Sequence, residues 1–235
     1  MTLSPIIVAL DFPSASEALA MAERLDPKKV RVKVGKELFV RVGPGILQQL
    51  GAMGFEIFLD LKFHDIPNTV AGAVRAACEH GVWMVNVHAS GGPAMLDAAR
   101  AAVDEVGRGT LLTGVTVLTS MDTAALSEVG CPTSTNEQVL RLATLAYRHG
   151  LDGVVCSGRE LGLLAGHLPP AFLRVTPGIR PLDAAKDDQQ RTMTPVDAVA
   201  QGASHLVVGR PITRASDPLA ACVGLLRGLE QAGGA

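Results

Sequence analysis

Aromatic residues are scarce in this chain: one Trp, one Tyr and six Phe among 235 residues. Ala, Val, Leu and Gly dominate instead, and 48% of the residues are apolar. That composition excludes a disordered chain and suits close packing of helices on a sheet. Charge of one sign is not in excess either. A net charge of −2 leaves no basic face to attract a nucleic acid. The four cysteines are scattered, with no Cys-x-x-Cys, and read as reduced, mostly buried thiols of a cytoplasmic protein. No apolar run is long enough to span a bilayer. The stretch Met1–Leu10 is too short for a signal peptide and lacks its basic flank. There is no Gly-x-Gly-x-x-Gly after a strand, no P-loop and no His-Glu-x-x-His. Linkers and low-complexity segments are missing too, so residues 1–235 read as one domain, of a length normal for an α/β barrel.

What is present is a rhythm. Short apolar, β-rich runs occur at Ile6–Leu10, Val30–Val34, Phe55–Leu61, Trp83–Val87, Leu111–Leu118, Gly153–Cys156, Leu173–Thr176 and His205–Val208. Each leads into a helical pattern. Ser14 or Ser16 offers an N-cap, and Pro67 and Pro93 suit first helical turns. Gly43-Pro44-Gly45 interrupts the helix after the second strand. Val70, Ala73, Val74 and Ala77 fall on one helical face. Eight strands alternating with helices predict a (β/α)8 TIM barrel. A doubly wound sheet is the rival, disfavoured by the missing glycine fingerprint.

Barrel sites gather at the C-terminal ends of the strands. Those ends carry Asp11, Lys33, Asp60 with Lys62, His88, Thr119 with Ser120, Ser157, Pro177 and Arg210. Lys33 and Lys62 lie within strand patterns, where a solvated lysine is awkward. Strand alternation points Asp60 and Lys62 the same way, and converging opposite charges stabilise one another. Gly209-Arg210, at the eighth strand, suits a phosphate: glycine lets backbone N–H groups approach, and arginine supplies a fork of donors. The plain alternative is a surface arginine at a turn. The loop 179–194, with Arg180, Gln189, Gln190 and Arg191, is a candidate lid over such a phosphate, or else an ordinary surface loop. His64 with Asp60 and Asp65 is the one candidate metal cluster, but Asp65 lies on the opposite strand parity, so no metal is expected. His88 reads as a hydrogen-bonded structural residue. Ser120 or Ser157 as a nucleophile lacks a His–Asp pair at recognisable spacing.

Together these residues match a family. The chain resembles the orotidine 5′-phosphate decarboxylases in Val8-Ala9-Leu10-Asp11, Lys33-Val34-Gly35-Lys36, Val115 to Ser120, Thr176 to Arg180 and Val208-Gly209-Arg210-Pro211. Its most distinctive match is Asp60-Leu61-Lys62-Phe63-His64-Asp65-Ile66-Pro67-Asn68-Thr69. The resemblance implies a decarboxylase converting orotidine 5′-phosphate to UMP without a cofactor. It implies that Lys62 protonates C6, that Asp60 faces the substrate carboxylate, that Lys33 is the second lysine of the array and that Asp11 binds the ribose. Thr119 and Ser120 would contact the pyrimidine. Arg180, Gln189, Gly209 and Arg210 would lie on the phosphate side. Asp65 and Thr69 would be donated to a partner subunit, which implies a homodimer with shared sites. Two rivals stand beside it. Mg-dependent sugar-phosphate lyases of the same barrel superfamily share Asp-x-Lys-x-x-Asp, but resemblance to them would put an acidic residue where Lys33 stands. A non-catalytic phosphate-binding barrel is the other.

Overall fold

Each apolar run forms a parallel strand in a computed structural model that describes residues 4–180 and 193–233. The strands are β1 Ile6–Ala9, β2 Arg31–Gly35, β3 Ile57–Phe63, β4 Met84–His88, β5 Leu111–Val115, β6 Gly153–Val155, β7 Leu173–Thr176 and β8 His205–Val208. They pair in chain order, and β8 closes on β1. This is the (β/α)8 barrel that the rhythm of the sequence predicts. Strand ends match the sequence reading within two residues, except that β5 stops at Val115 rather than Leu118. Its neighbour β6 ends at Val155, and Thr116 spends both its N–H (3.3 Å) and its hydroxyl (3.1 Å) on that last carbonyl. The chain then leaves the ladder.

Helix boundaries follow the local chemistry. Ser14 is the residue that caps the helix Ala15–Ala22, accepting the Glu17 N–H. Gly43-Pro44 separates the helices Lys36–Val42 and Gly45–Ala52, with Gly43 taking the left-handed position (φ 70°) that other residues avoid. Pro67 and Pro93 open the helices Pro67–Glu79 and Pro93–Val106. Val70, Val74 and Ala77 are on the buried face of the first of these.

Two apolar cores result. The larger lies between the strands and the surrounding helices. The smaller fills the barrel itself with Ile7, Ala9, Phe58, Met84, Val175 and Val207. With so few rings in the chain, Phe58 is the only large aromatic wholly inside that layer. Side chains alternate along a strand, so the residues two steps past this layer also face inward. For β1, β3, β4, β7 and β8 these are Asp11, Asp60, Asn86, Pro177 and Gly209. The packed layer is therefore a floor, and the polar residues above it are the mouth. The cysteines are free thiols, buried at Cys78, Cys156 and Cys222 and half-buried at Cys131. Among the described residues no helix is long and apolar enough to cross a membrane.

Candidate active site

Four charged side chains alternate in sign across the mouth. The Lys33 ammonium donates to Asp11 Oδ1 at 3.0 Å and stands 3.5 Å from Asp60 Oδ2. The Lys62 ammonium donates to Asp60 Oδ1 at 2.6 Å. Strand register explains the first contacts: Lys33 is level with Ala9 on one side and Phe58 on the other. Gly35 makes room for them. A Cβ there would come 3.0 Å from the Lys33 ammonium and 3.3 Å from Asp11 Oδ1.

Lys62 meets Asp60, as alternation predicts, but by a different route. The β3–β4 register breaks: Leu59 pairs with Val85 and Phe63 with Val87, so β3 advances four residues while β4 advances two. Within this bulge Lys62 adopts φ 53°, the only positive φ of a non-glycine residue among the described residues. The left-handed region costs an L-residue about 1–2 kcal/mol. Asn86, completely buried on β4, braces the distortion. Its side-chain carbonyl accepts the Lys62 backbone N–H at 2.7 Å, and its amide donates to Asp60 Oδ1 at 2.7 Å. Sequence reading passes over Asn86 because it lies inside an apolar run rather than at a strand end. The available signal is parity: Asn86 is in phase with Met84 and His88.

Beside the array opens a cavity of about 580 Å³, within the usual size for a small-molecule site. Asp11, Lys33 and Asp60 of the array line it, together with Gly209, Arg210 and Arg180. Arg214, which the sequence reading misses, lines it too. Its cue is the spacing of four from Arg210, which stacks residues on one side of a helical turn. The remaining expected residues lie elsewhere. Asp65 and Thr69 are exposed on the turn and helix beyond β3, where Asp65 accepts the Ile66 N–H at 2.7 Å. Thr119 and Ser120 sit on the turn after β5, outside the cavity lining. Gln189, Gln190, Arg191 and the lid expectation fall largely on residues 181–192, outside the described residues. The two ends of that stretch are joined at the cavity rim, where the Arg180 N–H donates to Met193 O at 3.0 Å.

Electrostatics keep Lys33 and Asp60 ionised. Burial favours the neutral form of the Lys33 side chain, but the Asp60 and Asp11 carboxylates outweigh it and its pKa is raised. Burial likewise pushes Asp60 toward protonation, but Lys33, Lys62 and the Asn86 amide outweigh it and its pKa is lowered. His88 is pushed down to about 4 by burial and by repulsion from His64, Lys36 and Lys62, so it is neutral at neutral pH. Its ring lies 5.3 Å from that of His64. Among the described residues no group of three or more His, Cys, Asp or Glu is placed to hold a metal.

Stability therefore depends on pH with a definite sign. A depressed carboxylate pKa stabilises the fold above the ordinary value of 3.8, and that contribution is lost as pH falls through the lower folded value. Lys33 behaves oppositely: its contribution is present below 10.5 and is lost as pH rises through the raised folded value. Asp60→Asn is therefore expected to cost about 1–3 kcal/mol near neutral pH, since two buried-side ammonium groups lose their shared partner. Thermal melts of both proteins from acid to neutral pH check this. A gap that does not narrow below pH 3.8 contradicts it.

A packed barrel floor with an alternating charge array and an arginine-bearing cavity at the C-terminal mouth defines a (β/α)8 enzyme site. Comparison with known proteins gives the family. The sequence profile of the "Orotidine 5'-phosphate decarboxylase / HUMPS family" matches residues 4–223, and the chain belongs to this family. A protein of Chromohalobacter salexigens named orotidine 5′-phosphate decarboxylase is 58% identical over 228 residues, covering 97% of each chain. One of the same name from Chromobacterium violaceum is 59% identical over 220 residues, covering 94% of this chain and 89% of the relative. The crystal structure of orotidine 5′-phosphate decarboxylase from Lactobacillus acidophilus superposes with a TM-score of 0.85 at 40% identity, covering 96% of this chain and 98% of that one.

Proposed function

We propose that the protein decarboxylates orotidine 5′-phosphate to UMP in pyrimidine synthesis, using its own side chains and no cofactor. The observation that carries this reading is the Asp11–Lys33–Asp60–Lys62 array beside the arginine-bearing cavity. Breaking the C6–carboxylate bond leaves an electron pair on C6 in the plane of the ring, where the π-system cannot spread it. The protein must supply the compensating charge. Lys62 does so and then gives its proton to C6, and solvent restores the ammonium. Asp60 lies against the departing carboxylate. Two unit charges ~4 Å apart at an effective dielectric of ~20 interact by ~4 kcal/mol. Relieved on the way to the transition state, that is about a thousandfold in rate. Enzymes lower barriers by about 8–23 kcal/mol, so most of the effect falls to Lys62 and its neighbours rather than to repulsion.

Asp11 suits the ribose hydroxyls, and Thr119 and Ser120 are assigned to the pyrimidine. The cavity arginines, with Gly209 and Gln189, are assigned to the phosphate. Free, mostly buried thiols fit a cytoplasmic location. In the isolated chain Asp65 caps its own Ile66 N–H and stands outside the array. Its assignment, with Thr69, is to the site of a second copy in a homodimer. Mixing inactive Lys62→Ala and Asp65→Ala proteins then rebuilds one intact site in each mixed dimer, roughly a quarter of native activity after full exchange. Mixed dimers demonstrated by mass but without activity would refute the shared site.

The direct test is loss of orotidine 5′-phosphate absorbance on adding the protein. The Mg-dependent sugar-phosphate chemistry is the second reading, because the family description covers more than one activity. Against it, the Lys33 ammonium sits between Asp11 and Asp60 and already neutralises them. Turnover that persists in EDTA supports the first reading, and turnover that requires Mg²⁺ supports the second.

A further inference from the structure

The Asn86 amide bonds both residues that frame the reacting atom. Its carbonyl takes the Lys62 N–H, and its NH₂ group gives to Asp60 Oδ1, each at 2.7 Å. Asp60 Oδ1 therefore receives two donors, since the Lys62 ammonium reaches the same oxygen. This pair of bonds also fixes which way the amide points. Turned over, it would set donor against donor at Lys62 and acceptor against acceptor at Asp60. The position is special in the fold as well. Asn86 lies between Val85 and Val87, opposite the bulge, where the ladder from β4 offers no regular partner to Lys62. A side chain substitutes for the missing backbone acceptor. The work needs one group with an acceptor and a donor on the same short stem, completely shielded from water. Aspartate has no donor once ionised, and alanine has neither.

We propose that Asn86 is a positioning residue for the decarboxylation: by holding the left-handed backbone of Lys62 and one oxygen of Asp60, its amide sets where the proton-donating ammonium stands relative to C6. This rests on the reading of Lys62 as the proton donor. Asn86 itself is completely buried and acts through its bonds to Lys62 and Asp60. Around it the titratable groups are Asp60, Lys62 and, through Asp60, Lys33 from the adjoining strands, and His88 on its own strand.

The test compares Asn86→Ala with the isosteric Asn86→Asp in turnover of orotidine 5′-phosphate across pH, with UMP binding measured alongside. Asn86→Ala is expected to lower kcat by about 100-fold, the scale of a misplaced reacting group, while UMP binding changes less than about threefold. Asn86→Asp is expected to work when its carboxyl is protonated, because it then still donates to Asp60. Above the apparent pKa of the pair that this new carboxyl forms with Asp60, activity should fall about tenfold per pH unit, a limb the native enzyme lacks. A residue that only fills space would give no such limb. The proposal is overturned if both variants keep kcat within about twofold of native. It is overturned equally if the two lose activity alike at every pH, or if neither folds at any pH, since Asn86 would then serve packing alone. Native protein that leaves orotidine 5′-phosphate intact, or a fully active Lys62→Ala, would instead remove the functional reading beneath it.

Discussion

Replacing Lys62 with alanine is expected to lower kcat by about ten-thousandfold or more while leaving UMP binding intact. On the proposed mechanism, two contributions disappear together. One is the ammonium that stabilises charge growing on C6, and the other is the proton delivered to it; general acid catalysis alone is worth about 100- to 10,000-fold. Binding survives because the cavity arginines come from the ends of β7 and β8, across the mouth from β3. Lys62→Arg separates the two contributions. Arginine keeps a positive charge but cannot release a proton near neutral pH. Activity in the arginine variant should therefore lie between that of the alanine variant and native, short of native by the proton-transfer part, about 100-fold or more. Single-turnover kinetics and UMP titration, with a thermal melt to confirm folding, check this. An arginine variant within tenfold of native would leave Lys62 as an electrostatic residue only.

The sequence carries much of this site because the barrel turns strand ends into a mouth. Asp11, Lys33, Asp60 and Lys62 are legible as polar residues ending apolar runs, and the structure brings those four together. The strand count is legible for the same reason: each buried strand is a short apolar run bounded by turn residues. What the sequence hides has physical causes. Alternation assumes an even ladder, and the β3–β4 bulge breaks it, so the left-handed turn at Lys62 cannot be read from spacing. Asn86 is masked by its apolar neighbours Val85 and Val87, although a polar residue in phase with the inward face is an available clue. Gly35 reads as the glycine that ends a strand, yet a Cβ there would also crowd the Lys33–Asp11 contact, at 3.0 Å from the ammonium. Asp65 and Thr69 belong to a different level. The chain places them on an exposed turn and helix start, outside the array, and their proposed entry into a second copy's site is not a matter of spacing within one chain.

Arg210→Ala is expected to lower kcat/KM for orotidine 5′-phosphate by about a thousandfold. Truncating one side of a desolvated, hydrogen-bonded charge pair costs about 2–5 kcal/mol, and about 4 kcal/mol is a thousandfold. The loss is smaller than full removal of the phosphate because Arg180 and Arg214 still line the cavity. On the proposed reading the phosphate lies far from the breaking bond, so its binding energy would act by holding the ring against Lys62. That makes a substrate lacking the phosphate the decisive control. With the nucleoside orotidine, native protein should be slow, and Arg210→Ala should cost almost nothing further. The four rates close a cycle whose coupling term isolates the arginine–phosphate contact from any general damage to the site. A variant that loses equally on nucleotide and nucleoside would place Arg210 in the scaffold of the β8 end. A variant that loses on neither would remove it from the site.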